Sequence, residues 1–409
     1  MDLFFYYILR RFFVKLQYTD NALILEKGIF IRRISRIPFS VVVKAEITRT
    51  PLMRILGAKR VRLYTLCGGA SLLLRKGEPL PFLPEGRGIA IRPRLLSVVF
   101  GAFIDTRALG GAVVFSAAMR RIGTLSERYY ESILSAISDT ADGLSDTLTA
   151  AHIAVPRIAA VLAVFTAAAW IFAFLKRLVS MARFSVSSRR GYITVRHGLA
   201  TLYEYVLVPH SPCVPIICDT VTTLAFGCAP IYCRGIMLLP PTRRSVRERA
   251  VSVLCGLPPA PAARGGHGVF PPPRALFGFC AVPLGWGAAF AAALAVFGGR
   301  DGELLSLVLW LGLGVCVWTA AVYGVYLPFS GAALGRDTLR ISSRGGARLY
   351  TYVAPLEAVV AAAASALRFR RNGGYCVLTV MLVGREKCRL RSVPYDKAIH
   401  LAERAVPPS

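Results

Sequence analysis

Asn21-Ala22-Leu23-Ile24-Leu25-Glu26-Lys27-Gly28, followed by Ile29-Phe30-Ile31-Arg32-Arg33-Ile34-Ser35-Arg36-Ile37-Pro38, reads as strand, glycine turn, strand, proline. Glycine suits a tight hairpin turn, and Pro38 ends the second strand because it cannot donate to a ladder. The pattern returns twice. Tyr192-Ile193-Thr194-Val195-Arg196-His197-Gly198 leads to Tyr203-Glu204-Tyr205-Val206-Leu207-Val208-Pro209. Thr338-Leu339-Arg340-Ile341-Ser342-Ser343-Arg344-Gly345-Gly346 leads to Leu349-Tyr350-Thr351-Tyr352-Val353-Ala354-Pro355. The glycine-to-proline gap is ten, eleven and nine positions, so three internal repeats are expected. More strands follow at 41–48, 60–65 and 375–382, and 395–404 reads as a closing helix.

What lies between the repeats is apolar. The 409 residues are 55% hydrophobic, with a mean hydropathy of +0.54, yet the net charge is +28. A water-soluble chain averages about 45–50% apolar residues, so lipid is the natural place for the excess. Segments 153–175, 275–297 and 304–327 have the length and composition of membrane spans. A fourth, 95–119, carries Asp105 and Arg107 near its middle, a costly intramembrane charged pair, and is expected to span because the hairpin count requires it. Lys and Arg outnumber Asp and Glu by 17 to 6 over 1–92, 13 to 3 over 176–274 and 13 to 5 over 328–409. The positive-inside rule puts all three basic blocks, and both chain ends, in the cytoplasm of a multi-pass protein of the cell membrane.

The resulting expectation is an α+β membrane protein. A candidate interfacial helix or domain extension (1–15) precedes a first domain (16–92). A transmembrane hairpin (93–179) with an external helical loop (120–151) leads to a second domain (180–255). A Pro/Gly-rich linker (256–274), a second hairpin (275–327) and a third domain (328–409) complete the chain, with about four spans in all.

The string 18–28 with Arg32-Arg33 and Ile37-Pro38, then Pro51-Leu52-Met53-Arg54-Ile55-Leu56-Gly57-Ala58 and Val61-Arg62-Leu63-Tyr64-Thr65, closely resembles a bacterial pleckstrin-homology-like (PH-like) domain of the YdbS/YdbT family of membrane proteins. Three such domains separated by helix pairs resemble the YdbT arrangement. The resemblance implies partly open barrels capped by a helix, a bacterial cell membrane, and a smaller YdbS-like membrane partner. It implies no catalytic residue. A chain of the YdbT type usually begins with a helix pair, where only 1–16 precedes the first domain here.

Several residue sets are candidates for chemistry. Arg32, Arg33 and Arg36; Arg243 and Arg244 with Arg247 and Arg249; and Arg368, Arg370 and Arg371 form basic clusters. No groove-reading element or stacking-aromatic motif accompanies them, so anionic lipid of the inner leaflet or a protein partner is expected rather than nucleic acid. Cys213, Cys218, Cys228 and Cys233 are spaced more widely than zinc knuckles and read as core thiols. Neither a nucleophile motif nor a metal motif is present, so no catalytic residue, cofactor or metal is expected. The expected role is a non-enzymatic membrane scaffold, with a transporter or channel component as the alternative.

Overall fold

The computed structural model describes residues 14–19, 21–27, 33–65, 68–75, 89–105, 131–132, 135–140, 142–143, 146, 157–209, 213–258, 268–297, 303–366, 374–383 and 386–406. The first repeat holds β1 (Val14–Thr19), β2 (Ala22–Lys27), β3 (Arg33–Pro38), β4 (Val42–Arg49), the single-turn helix α1 (Pro51–Ile55), β5 (Ala58–Thr65) and β6 (Gly68–Arg75). β7 (Ile89–Ile91), α2 (Leu95–Asp105) and α3 (Arg157–Met181) follow. The second repeat is β8 (Ser185–Arg189), β9 (Tyr192–His197), β10 (Leu202–Leu207), β11 (Ile216–Asp219), α4 (Val221–Ala225), β12 (Cys228–Cys233), β13 (Ile236–Arg243) and α5 (Arg244–Cys255). β14 (Gly268–Val269), α6 (Leu276–Phe297) and α7 (Glu303–Tyr326) lead into the third. It comprises β15 (Gly331–Leu334), β16 (Thr338–Gly345), β17 (Arg348–Pro355), β18 (Val359–Ser365), β19 (Tyr375–Leu382), β20 (Glu386–Pro394) and α8 (Tyr395–Ala405).

Each repeat is therefore two antiparallel half-sheets around one core, as in a PH-like barrel. The first core joins Leu23 and Leu25 to Ala45, Val61, Leu63 and Leu72. The second joins Val195 and Leu207 to Ile231, Leu239 and Leu254, and the third joins Leu339 and Ile341 to Leu378, Leu390 and Leu401. The expected strand-glycine-strand hairpins are present at Gly198 and at Gly346, and β2 pairs with β3 as expected, with Gly28 outside the described residues. Gly346, in a left-handed conformation (φ +64°), sits in the two-residue turn between the paired Gly345 and Arg348. Helix α8 closes the third repeat as the sequence suggests, and α5 closes the second.

The half-sheets do not stop at the repeats. Strand β4 pairs with β10 over six register positions, from Arg49↔Leu202 to Lys44↔Leu207. β11 pairs with β17 over four, from Asp219↔Leu349 to Ile216↔Tyr352. The sheet orders are β1-β2-β3, β6-β5-β4-β10-β9-β8-β7, β13-β12-β11-β17-β16-β15-β14 and β18-β19-β20. Each seven-stranded sheet thus takes its halves from two consecutive repeats. Side chains cross these seams as well: Val206 and Val208 complete the first core, and Val353 enters the second. Fully burying a valine is worth about 1.5–3 kcal/mol, so the seams are held by packing as well as by ladder hydrogen bonds.

Two boundaries differ from the sequence reading. β7 lies within the stretch assigned to the first domain, but pairs with β8 of the second repeat through Ile91↔Val186. β14 lies within the stretch read as flexible linker, but pairs with β15 through Val269↔Ala332. Strands this short carry no periodicity of their own, and their partners lie beyond a helix pair. The helices are thus inserted after the first strand of a half-sheet instead of standing between finished domains.

Among the described residues two helices are long and apolar enough to cross a membrane, with the windows Val164–Met181 and Val308–Phe329. A third apolar helical stretch, Cys280–Val296, is shorter. Helix α3 runs on to Met181, past the expected end at 175, because Met181 and Phe184 are buried in the second core. Helix α2 covers Leu95–Asp105, and 106–119 lies outside the described residues.

Candidate functional site

The seams place the helix roots against the sheets. The short helix α1 is capped by Thr50, whose side chain accepts from the Met53 N–H, and α4 by Thr220, which accepts from the Thr223 N–H. Each is followed by a left-handed glycine, Gly57 (φ +61°) and Gly227 (φ +62°). At the first seam Arg54 of α1 donates to the carbonyls of Leu199 and Ala200. Those residues belong to the β9–β10 loop, which clasps the end of α3: Gly198 N–H donates to Ala182 O (2.7 Å) and Leu199 N–H to Val179 O (3.2 Å). His197 adds a bond to the Ser180 carbonyl at 2.7 Å. A carbonyl can only accept, so Nδ1 carries the proton. Burial lowers the pKa of His197 against that hydrogen bond, which keeps the ring neutral at pH 7. At the second seam Val221 and Leu224 of α4 pack on Val322 and Tyr326 of α7, and the Tyr326 hydroxyl donates to Ala347 O of the β16–β17 turn at 2.8 Å.

Each seam also encloses a cleft. The first, of about 360 Å³, is lined by Arg49, Arg183, Arg196 and Glu204, with Arg196 paired to Glu204 at 2.7 Å. The second, of about 570 Å³, brings Arg244, Arg247 and Arg340 together beside Asp219, with Pro328 and Phe329 at the foot of α7. Arg247 reaches Asp219 only at 4.0 Å, and Nε of Arg247 and of Arg340 is buried without a hydrogen-bond partner. Burial raises the Asp219 carboxyl above its ordinary range despite both arginines, and lowers the Arg247 guanidinium despite Asp219. The pair does not repay its own desolvation.

A third cleft, of about 490 Å³, lies between the helix pair and the third repeat. Lys387, Arg389 and Arg391 alternate along the edge strand β20, all on its exposed face. They converge with Arg344 against Tyr323 of α7 and Val282 of α6, and among the described lining residues there is no carboxylate. The Arg344 guanidinium stacks over the Tyr323 ring at 3.7 Å. Burial first, then the like charge of Arg391, lowers the Arg344 pKa. Crowded cations beside an apolar wall are suited to an anionic group that carries an apolar tail.

The basic clusters read from sequence fall only partly within the described residues. Arg36 is exposed on β3, opposite Ile24, and Arg33 begins that strand; Arg32 lies outside the described residues. Arg243 ends β13 exposed, and Arg244 begins α5, paired to Glu248 at 2.8 Å. Arg244 and Arg247 line the second seam's cleft. Asp105 ends α2, while Arg107, Arg368, Arg370 and Arg371 lie outside the described residues. The cysteines Cys213, Cys218, Cys228 and Cys233 are not joined in disulfides. The cations of the third cleft were missed, although their alternation at 387, 389 and 391 was legible. So was the threonine-to-glycine spacing of seven shared by Thr50/Gly57 and Thr220/Gly227.

With this geometry in place, comparison with known proteins identifies the first repeat. The family model of the bacterial PH domain matches residues 3–97, so that segment is a bacterial PH-like domain. No curated protein and no solved structure matches the chain.

Proposed function

We propose that the protein is a non-enzymatic scaffold of the bacterial cell membrane, of the YdbT type, working beside a smaller YdbS-like partner. Its three repeats form one cytoplasmic platform that holds anionic lipid at the roots of its helices. The observation that carries the reading is the third cleft, where Arg344, Lys387, Arg389 and Arg391 meet the last turn of α7 with no carboxylate among the described lining residues. Helix α7 itself turns large apolar side chains outward, with Trp310, Val315 and Trp318 each more than 60% exposed. Such a face is costly in water and suited to lipid. At an anionic leaflet each basic residue gains about 1 kcal/mol, so four converging cations are enough to fix a headgroup.

The test uses the full chain in its native membrane and after purification. It should stay in the membrane pellet through alkaline extraction. An impermeant maleimide added to intact cells should label a cysteine placed at Ser138 and miss one at Ser71. In nanodiscs, Arg389→Gln/Arg391→Gln should lose retained phosphatidylglycerol relative to phosphatidylcholine. Release of the chain by alkali would refute the membrane reading; equal lipid retention by the variant would refute the cleft.

A further inference from the structure

The seams follow a rule, and the rule leaves two strands over. At each seam the first strand of one repeat's second half-sheet (β4, β11) pairs with the last strand of the next repeat's first half-sheet (β10, β17). In the first repeat the strand equivalent to β10 and β17 is β3, and in the third the strand equivalent to β4 and β11 is β18. Both are sheet edges among the described residues. We infer that β18 of one copy takes β3 of a second copy in the same strand joint, building a head-to-tail row of chains in the membrane plane.

The equivalence of β18 and β4 is close. Each follows a proline and a single 3₁₀ turn: Pro38 with Phe39–Val41, and Pro355 with Leu356–Ala358. Each carries a bulge at its second residue, between Val42 and Lys44 in β4 and between Val359 and Ala361 in β18. A bulge can protect an edge from pairing, but β4 has it and still pairs with β10, so it does not forbid the joint. Val43 and Glu46, next to β10, are partly covered, whereas their counterparts Val360 and Ala363 are exposed. The sequence of β18, Val-Val-Ala-Ala-Ala-Ala-Ser, has no charge and no proline. Edges that must stay single are ordinarily defended by one of these. The complementary strand β3 does carry Arg33, Arg36 and Pro38, but its counterpart β17 carries Arg348 and Pro355 and pairs with β11 all the same, and Ile34 of β3 is 70% exposed.

The occupant is a second copy because the same chain carries both halves of the joint, β3 in its first repeat and β18 in its third. Such a contact is heterologous, so it leaves a free β3 and a free β18 on every pair and adds further copies in the same sense. One strand joint is a small interface, and its occupancy depends on concentration, which confinement to a bilayer raises. The register follows from Pro355 matching Pro38 and from the pairing Ile216↔Tyr352, and it sets Ser35 opposite Ala363.

The experiment mixes two differently tagged full-length chains in one membrane, Ser35→Cys and Ala363→Cys, under mild oxidation. The expected result is a disulfide-linked dimer carrying both tags, at a yield at least fivefold above that with Ala361→Cys in place of Ala363→Cys. In addition, Ala363→Lys should convert wild-type oligomers to monomers in mass photometry of nanodisc samples, with its unfolding midpoint unchanged. Absence of the mixed dimer, equal yield from the off-register partner, or a wild type that is monomeric at high loading each overturns the inference.

Discussion

Asp219→Ala should be among the most damaging single changes at the second seam. Asp219 and Arg247 have side chains only 11% and 12% exposed and lie 4.0 Å apart. At that distance the raw attraction is about 4 kcal/mol for an effective dielectric of about 20. The desolvation seen in both groups outweighs it. Removing one partner is a different matter. It strands Arg247 and Arg340 in a cleft where each already has a buried Nε without a partner. Breaking a buried pair costs about 3–5 kcal/mol, and the long separation puts this pair at about 3. A cooperative unit of 150–250 residues loses about 2–4 °C per kcal/mol, so the midpoint should fall by about 6–12 °C. Replacing both residues, Asp219→Leu with Arg247→Leu, should return to within about 1 kcal/mol of wild type. A thiol-reactive fluorophore follows the transition, since Cys233 is buried in the same repeat and reacts only on unfolding. A double variant as unstable as Asp219→Ala, or a shift below about 2 °C for the single one, would refute the reasoning.

Three further outcomes follow from the same geometry. Because burial raises the folded-state pKa of Asp219, the native state takes up its proton first between about 3.9 and the raised value. Stability should therefore rise in wild type relative to Asp219→Asn as pH falls through that window, as paired unfolding curves from about pH 7 downward will show. Gly198→Ala should cost more than about 3 kcal/mol, since φ is +107° and a Cβ would collide with the Thr201 carbonyl; Gly57→Ala, with open space around it, should cost about 1 kcal/mol in chemical denaturation. Cysteines placed at Arg49 and Leu202, facing partners at the first seam, should form a disulfide within one chain, detected as a mobility shift that protease cleavage between repeats does not undo.

The hairpins of each repeat were legible because their signals are local. In 192–209 and 338–355 the strand, the glycine and the proline lie within twenty residues, and the turn alone fixes the pairing. The apolar helices were legible for the same reason. The seams were not. Strand β4 finds its partner more than 150 residues away, and nothing in Val42–Arg49 specifies β10 over another edge. The clefts inherit that difficulty, for Asp219, Arg247 and Arg340 come from three elements that meet only after the seam has closed. The basic clusters picked out by adjacency, such as Arg243-Arg244, belong to neighbouring elements. The stripe at 387, 389 and 391 needed the strand period to be read for charge as well as for apolarity.

The insertion of a helix pair between β7 and β8 has a mechanical meaning. Both helices leave from the same end of that strand pair, next to Ile91↔Val186, so tension on them loads the ladder one rung at a time. Three register pairs would peel in sequence, as a zipper opens. The seam between β4 and β10 has six register pairs and valines sunk in a core on its far side. A pull on the helices would thus release β7 long before it disturbed the joint between repeats. Strands β7 and β14, each parted from the rest of its half-sheet by a helix pair, are the fuses of the assembly, and the seams are its frame.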